Sequence, residues 1–142
     1  MNGSAAASFI NLDLELESDE DLAPLAAHFG NKVFVLHCEE DAGRFRLALE
    51  AVIRGALSED AAACTEHFLT LLEALPPPLQ ALWQRCDRRV FDYGFEGGTD
   101  GPPCLALLGS DQLRRIAGFA ADLRITVYPF QPSTADAADV PE

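Results

Sequence analysis

The chain has 142 residues, 49% of them hydrophobic, and 23 Asp and Glu stand against 10 Lys and Arg, for a formal net charge of −13. A chain of this length forms one ordinary domain, burying about 68% of its unfolded surface without a metal or disulfide staple. A field of that sign repels phosphate backbones and anionic lipid headgroups, which sets aside nucleic acid and membrane surface as partners and favours a basic protein.

The opening run Ile10-Asn11-Leu12-Asp13-Leu14-Glu15-Leu16-Glu17 alternates aliphatic and polar residues without a break. Strand side chains point to opposite faces with period 2, so Ile10, Leu12, Leu14 and Leu16 are expected to face a core while Asp13, Glu15 and Glu17 face water. A parallel sheet buried on both faces would read as continuous apolar runs, so the pattern predicts a mainly antiparallel or mixed sheet with helices mainly on one face and an open acidic face on the other. Pro24 belongs in the opening turn of a first helix, which makes Asp21 the expected N-cap, with Leu22, Leu25, Ala26 and Phe29 inward and Gly30 as the stop. Val33-Phe34-Val35-Leu36 and Arg44-Phe45-Arg46-Leu47-Ala48-Leu49-Glu50, joined by a turn around Asp41-Ala42-Gly43, read as a hairpin with Phe45, Leu47 and Leu49 inward and Arg44, Arg46 and Glu50 outward.

Ser58 is the expected cap of the longest helix, whose inward residues are Cys64, Phe68, Leu71, Leu72 and Leu75, and Pro76-Pro77-Pro78 ends it. A short helix follows with Leu79, Leu82, Trp83 and Cys86 inward. Val90 to Glu96 alternates again, with Phe91, Tyr93 and Phe95 on one face and Asp92 and Glu96 on the other. The glycine-rich segment from Gly97 reads as a loop to a strand Cys104-Leu105-Ala106-Leu107-Leu108. A final helix capped by Ser110 leads to a closing strand from Leu123 to Tyr128, in which Ile125 and Val127 are expected in the core and Arg124 in water. The fold expectation is one α+β domain over residues 9–130, in the order βαββ, helices, ββαβ. Residues 1–8 are expected to form a flexible N-terminus and 131–142 a disordered acidic tail.

Motifs for chemistry are sparse. There is no G-x-S-x-G, P-loop or H-E-x-x-H, and the single lysine is Lys32. Cys38, Cys64, Cys86 and Cys104 form no C-x-x-C pair and read as reduced core thiols. Cys64 and His67, three apart with Glu66 between, are one pair and not a convergent metal site. Asp13, Glu15 and Asp92 could pair as catalytic carboxylates only if burial raised one pKa, which their outward orientation disfavours. The expectation is a protein with no enzymatic activity, metal or cofactor. Residues 1–8 lack a positive and an apolar segment of signal-peptide type, and no apolar run approaches a membrane span, so the chain reads as cytoplasmic.

The segments Val90 to Glu96 and Gly109 to Pro129, ending in Ile125-Thr126-Val127-Tyr128, together with the opening Asn11 to Ser18, resemble a group of small bacterial α+β proteins of unassigned function. Some members of such groups resemble immunity proteins that neutralise secreted toxins. That resemblance implies an acidic binding surface covering a basic toxin. The expected partner-binding residues are Asp13, Glu15 and Glu17, with Asp92 and Glu96 as neighbours and Tyr128 as an aromatic anchor. The alternative is a small regulatory or ligand-binding domain, a homodimer through its sheet, with an apolar pocket near Trp83 and Tyr93.

Overall fold

The alternation at the start of the chain becomes the middle strand of a five-stranded sheet. The structure is a computed structural model that describes residues 5–130, and in it β1 (Ser8–Ser18) lies between β3 (Arg44–Ala51) and β4 (Arg88–Glu96). With β2 (Val33–Asp41) and β5 (Asp122–Tyr128) outside them, the order is β2-β3-β1-β4-β5. All pairings are antiparallel except β4 with β5, which is parallel, so the sheet is mixed and the domain α+β.

Register explains the core. Leu14 sits opposite Leu49 and Phe91, Leu16 opposite Leu47, and Leu12 opposite Tyr93, so one face of three adjacent strands is apolar except at its end, where Arg89 lies opposite Leu16 and Ser18 opposite Phe45. These residues form one buried cluster with Leu25 and Phe29 of α1 (Ala23–Phe29), Phe68, Leu69 and Leu72 of α2 (Ala61–Glu73), Leu82 and Trp83 of α3 (Pro77–Gln84) and Ile116 of α4 (Ser110–Gly118). The Phe68 ring meets Phe91 edge-on at 6.2 Å. Thr65 gives its hydroxyl proton to Ala61 O at 2.8 Å, which leaves its oxygen to accept from the Tyr93 hydroxyl at 2.6 Å and satisfies both buried groups.

Helix starts differ from expectation by a residue or two. Leu22 occupies the α1 cap position, while the Asp21 carboxylate accepts from Ala23 N at 2.9 Å just outside the helix. Asp60, not Ser58, caps α2 by accepting from Ala62 N at 3.0 Å. Gly55, at φ +68°, opens a 3-10 turn over Gly55–Glu59 in which the Ser58 hydroxyl bonds back to Gly55 O.

The expected strand at 104–108 does not form. A parallel β4–β5 pair needs a crossover connection of a dozen or more residues, and residues 97–109 together with α4 supply it. Pro102 and Pro103 also lack ladder donors immediately before it. Leu105 and Leu107 are accordingly 87% and 83% exposed.

Three further burial expectations fail for local reasons. Ile10 sits at a register shift between Phe9 and Asn11, where Phe9 takes the place against Phe95 at 5.4 Å and Ile10 is exposed. Ile125 and Val127 lie on the core side by register, but β5 is the sheet's edge and they remain 59% and 61% exposed. Cys64 and Cys86 are core thiols as expected, whereas Cys38 is exposed on β2 and Cys104 is half-buried. The chain is held from Ala5 onward: Ala5 N donates to Thr99 Oγ1 at 2.8 Å, and Ala5 O accepts from Thr99 N at 2.7 Å. Gly98 permits this approach, since a Cβ there would stand 2.4 Å from Ala7 N. Ser8 is already part of β1, and the remaining expectations for residues 1–4 and 131–142 fall outside the described residues. Among the described residues no helix is long and apolar enough to cross a membrane.

Candidate functional site

The polar face of the sheet carries a row of four charged residues placed side by side by register. Glu50 of β3 is opposite Asp13 of β1, Asp13 is opposite Asp92 of β4, and Asp92 is opposite Arg124 of β5. Like charges directly opposite destabilise a sheet, so the row demands compensation. Asp92 receives it. Its carboxylate accepts from Arg124 Nη2 at 2.9 Å and from Thr126 Oγ1 at 2.8 Å, and Arg124 reaches Glu15 at 2.6 Å. Asp92 is thereby buried at 7% exposure, against the expectation that it faces water.

Asp13 receives no such partner. Its Oδ1 is shut off from solvent without a hydrogen bond, and the residue is half-buried although it was expected in water. Burial, followed by the charges of Glu50, Asp92 and Glu15, pushes its pKa up to about 6, with Arg124 opposing. The cause is position: β1 is the central strand, so its polar side chains are walled on both sides by neighbours.

Beside this row the face is dented. Ala48 of β3 lies between Glu15 of β1 and His37 of β2, and its short side chain leaves a hollow of about 280 Å³ edged by Glu15, Glu17, His37, Glu39 and Arg46. His37 Nδ1 stands 3.6 Å from Glu39, and Glu17 is 3.7 Å from Arg44, which also pairs with Asp87. Sequence reasoning named Glu15 and Glu17 but missed Ala48, His37 and Glu39. The signal was present in β3, where Ala48 is the one outward position lacking a long side chain.

The six expected partner-binding residues do not converge. Glu17 is opposite Arg88 at one end of β4, and Glu96 is opposite Tyr128 at the other. Those ends are eight residues apart, roughly 27 Å at strand spacing. Tyr128 is 51% exposed, on the Arg124 and Thr126 side, with its ring over Gly94.

A second hollow of about 400 Å³ includes Leu72, Trp83, Arg89 and Phe119 in its walls. Tyr93, expected beside it, is instead in the core with Thr65, where burial pushes its pKa up to about 12. Arg89 there is already engaged. Its guanidinium donates to Ala120 O at 3.0 Å, Trp83 O at 3.0 Å and Cys86 O at 2.7 Å, where α3 and α4 end. Burial pushes the Cys64 and Cys86 thiols up to about 11. His67 Nε2 sits 2.8 Å from Lys32 O. No group of three or more His, Cys, Asp or Glu among the described residues could hold a metal ion.

The chain matches no protein-family model, no curated protein and no solved structure.

Proposed function

We propose that the protein is a non-enzymatic binding domain whose polar sheet face receives a basic loop of a protein partner. The observation that carries this reading is the hollow over Ala48, whose rim holds Glu15, Glu17 and Glu39 against the single Arg46. Its volume suits one Lys or Arg side chain, and its floor lets the aliphatic stem settle while the charged head meets carboxylates. The cations on this face come from the other strands, Arg44 and Arg46 from β3, Arg88 from β4 and Arg124 from β5, and Arg44 and Arg124 pair with Glu17 and Glu15. On β1 and β2 the outward charges are Asp13, Glu15, Glu17, Glu39 and Asp41, with no lysine or arginine among them.

Such a face steers a basic partner and raises the rate of encounter. An immunity protein that covers the active site of a basic toxin works in this way, and the finer reading draws on the resemblance of the segments Asn11 to Ser18, Val90 to Glu96 and Gly109 to Pro129 to small bacterial α+β proteins of unassigned function, some of which resemble immunity proteins. The buried thiols of Cys64 and Cys86 and the Tyr93 hydroxyl have raised pKa values that hold them protonated at neutral pH, so they offer no nucleophile, whereas Asp13 does carry the raised pKa that paired-carboxylate chemistry requires. The competing ligand-binding reading is disfavoured at the Trp83 hollow, because the Arg89 guanidinium is consumed by helix carbonyls and not offered to a ligand.

The test fills the hollow. Ala48→Arg projects a cation into the acidic rim without touching the core, and should abolish capture of the basic partner recovered by wild-type bait from the native cell. Ala48→Ser, which keeps the hollow open, should retain it. Equal capture by Ala48→Arg and wild type, with unchanged circular dichroism, would sink the proposal.

A further inference from the structure

The edge of the sheet at β5 carries an inference independent of the acidic face. Edge strands are usually protected by bulges, prolines, short length or inward charges. β2, the opposite edge, also exposes apolar side chains at Phe34, Val35 and Leu36, but a register shift between Val35 and His37 and the acidic run Glu39, Glu40 and Asp41 interrupt it. β5 has no such interruption. It runs seven residues from Asp122 to Tyr128 in unbroken register with β4, contains no proline, and has no strand on its other side among the described residues. Leu123, Ile125 and Val127 lie on the side that the inner strands use for the core, yet are 41%, 59% and 61% exposed.

We propose that β5 pairs antiparallel with β5 of a second copy of this chain, centred on Ile125, to give a continuous ten-stranded sheet. The two-fold arrangement is self-complementary. It sets Ile125 against Ile125 and Leu123 against Val127 on the apolar side, and Arg124 against Thr126 and Asp122 against Tyr128 on the polar side. No like charges meet, and all seven residues of the strand are paired. Recentring on Arg124 would oppose two arginines and leave Val127 and Tyr128 of each strand without a partner in β5. An isologous contact of this kind closes at two subunits, whereas β5 on β2 would propagate, and the shift and acidic run of β2 oppose it.

The three β5 aliphatics expose on the order of 300 Å² together, short of the ~800 Å² that a stable dimer takes from each partner. Leu105, Leu107 and Leu113 are also exposed, on the connection between β4 and β5.

Sedimentation velocity of the full chain, with a Cys38→Ser/Cys104→Ser background for trapping, tests the arrangement. Wild type should sediment as a dimer of the 15.3 kDa chain, and Ile125→Arg should sediment as a monomer with unchanged circular dichroism. Ile125→Cys in the trapping background should form an interchain disulfide on mild oxidation, and Leu36→Cys on β2 should not. A monomeric wild type at 100 µM would overturn the proposal and leave the edge to residues 131–142 or to a foreign strand. A dimer that survives Ile125→Arg, or that Ile125→Cys fails to trap, would overturn it equally.

Discussion

Asp13 is the residue at which local rules are most plainly broken, with a carboxylate opposite it on each side and one oxygen buried without a partner. Its folded pKa of about 6 lies above the ordinary 3.8, so the folded state holds the proton more tightly than the unfolded chain. Asp13 therefore costs nothing below pH 4, and the cost grows as pH rises to 6 and stays in full above it. Allowing for solvent screening at this half-buried site, the penalty is on the order of 1–2 kcal/mol. Asp13→Asn should accordingly stabilise the fold by about that amount at pH 7.5 and leave it unchanged at pH 4, as read from urea midpoints at the two pH values. A destabilised variant at pH 7.5 would show that the ionised carboxylate is used structurally. The face of Asp13 was legible from alternation. Its depth was not, because period 2 assigns a side and says nothing about how many strands flank the one that carries it.

The same limit governs the strands as units. Leu12-Asp13-Leu14-Glu15-Leu16 and Leu123-Arg124-Ile125-Thr126-Val127 share one pattern, yet the first is central and buried while the second is an exposed edge. Strand order depends on long-range pairing, which no local period encodes. Turns were more legible, and their residues are not the best available. The two-residue β2–β3 connection has positive φ at both Ala42 (53°) and Gly43 (81°), a type I′ turn that favours Asn-Gly. After α4 the chain takes the left-handed region again at Ala120 (φ 56°), where glycine is the usual choice. An L-residue with a Cβ pays ~1–2 kcal/mol there, part of which glycine returns through its freer unfolded chain. Ala42→Asn and Ala120→Gly should each raise stability by about 0.5–1 kcal/mol, seen as a melting temperature higher by a few degrees in thermal denaturation. α4 itself should hold its place in both variants. Arg115 clamps it to α2 through Glu73 at 2.8 Å and Glu66 at 2.9 Å, and Gln112 donates to Ala62 O at 3.0 Å.

Across the full surface, a net charge of −13 raises the question of whether placement or total charge recruits a basic partner. Total charge acts at long range and is screened beyond about 8 Å at physiological ionic strength, while charges at the rim of a contact act on the encounter complex itself. Two double reversals separate these effects, because each moves the formal charge from −13 to −9. Glu17→Lys/Glu39→Lys alters the rim of the Ala48 hollow, whereas Asp19→Lys/Glu59→Lys alters exposed acids outside it. If placement governs, the first pair should slow association with the basic partner by about tenfold or more at low salt and flatten its dependence on ionic strength, and the second should change the rate by about twofold or less. Dissociation should change little in either, since rim charges act mainly on encounter. Stopped-flow association rates between 20 and 300 mM NaCl read both quantities. Equal slowing by the two pairs would mean that the acidic surface attracts only as a whole, and the hollow over Ala48 would lose its claim to be the point of contact.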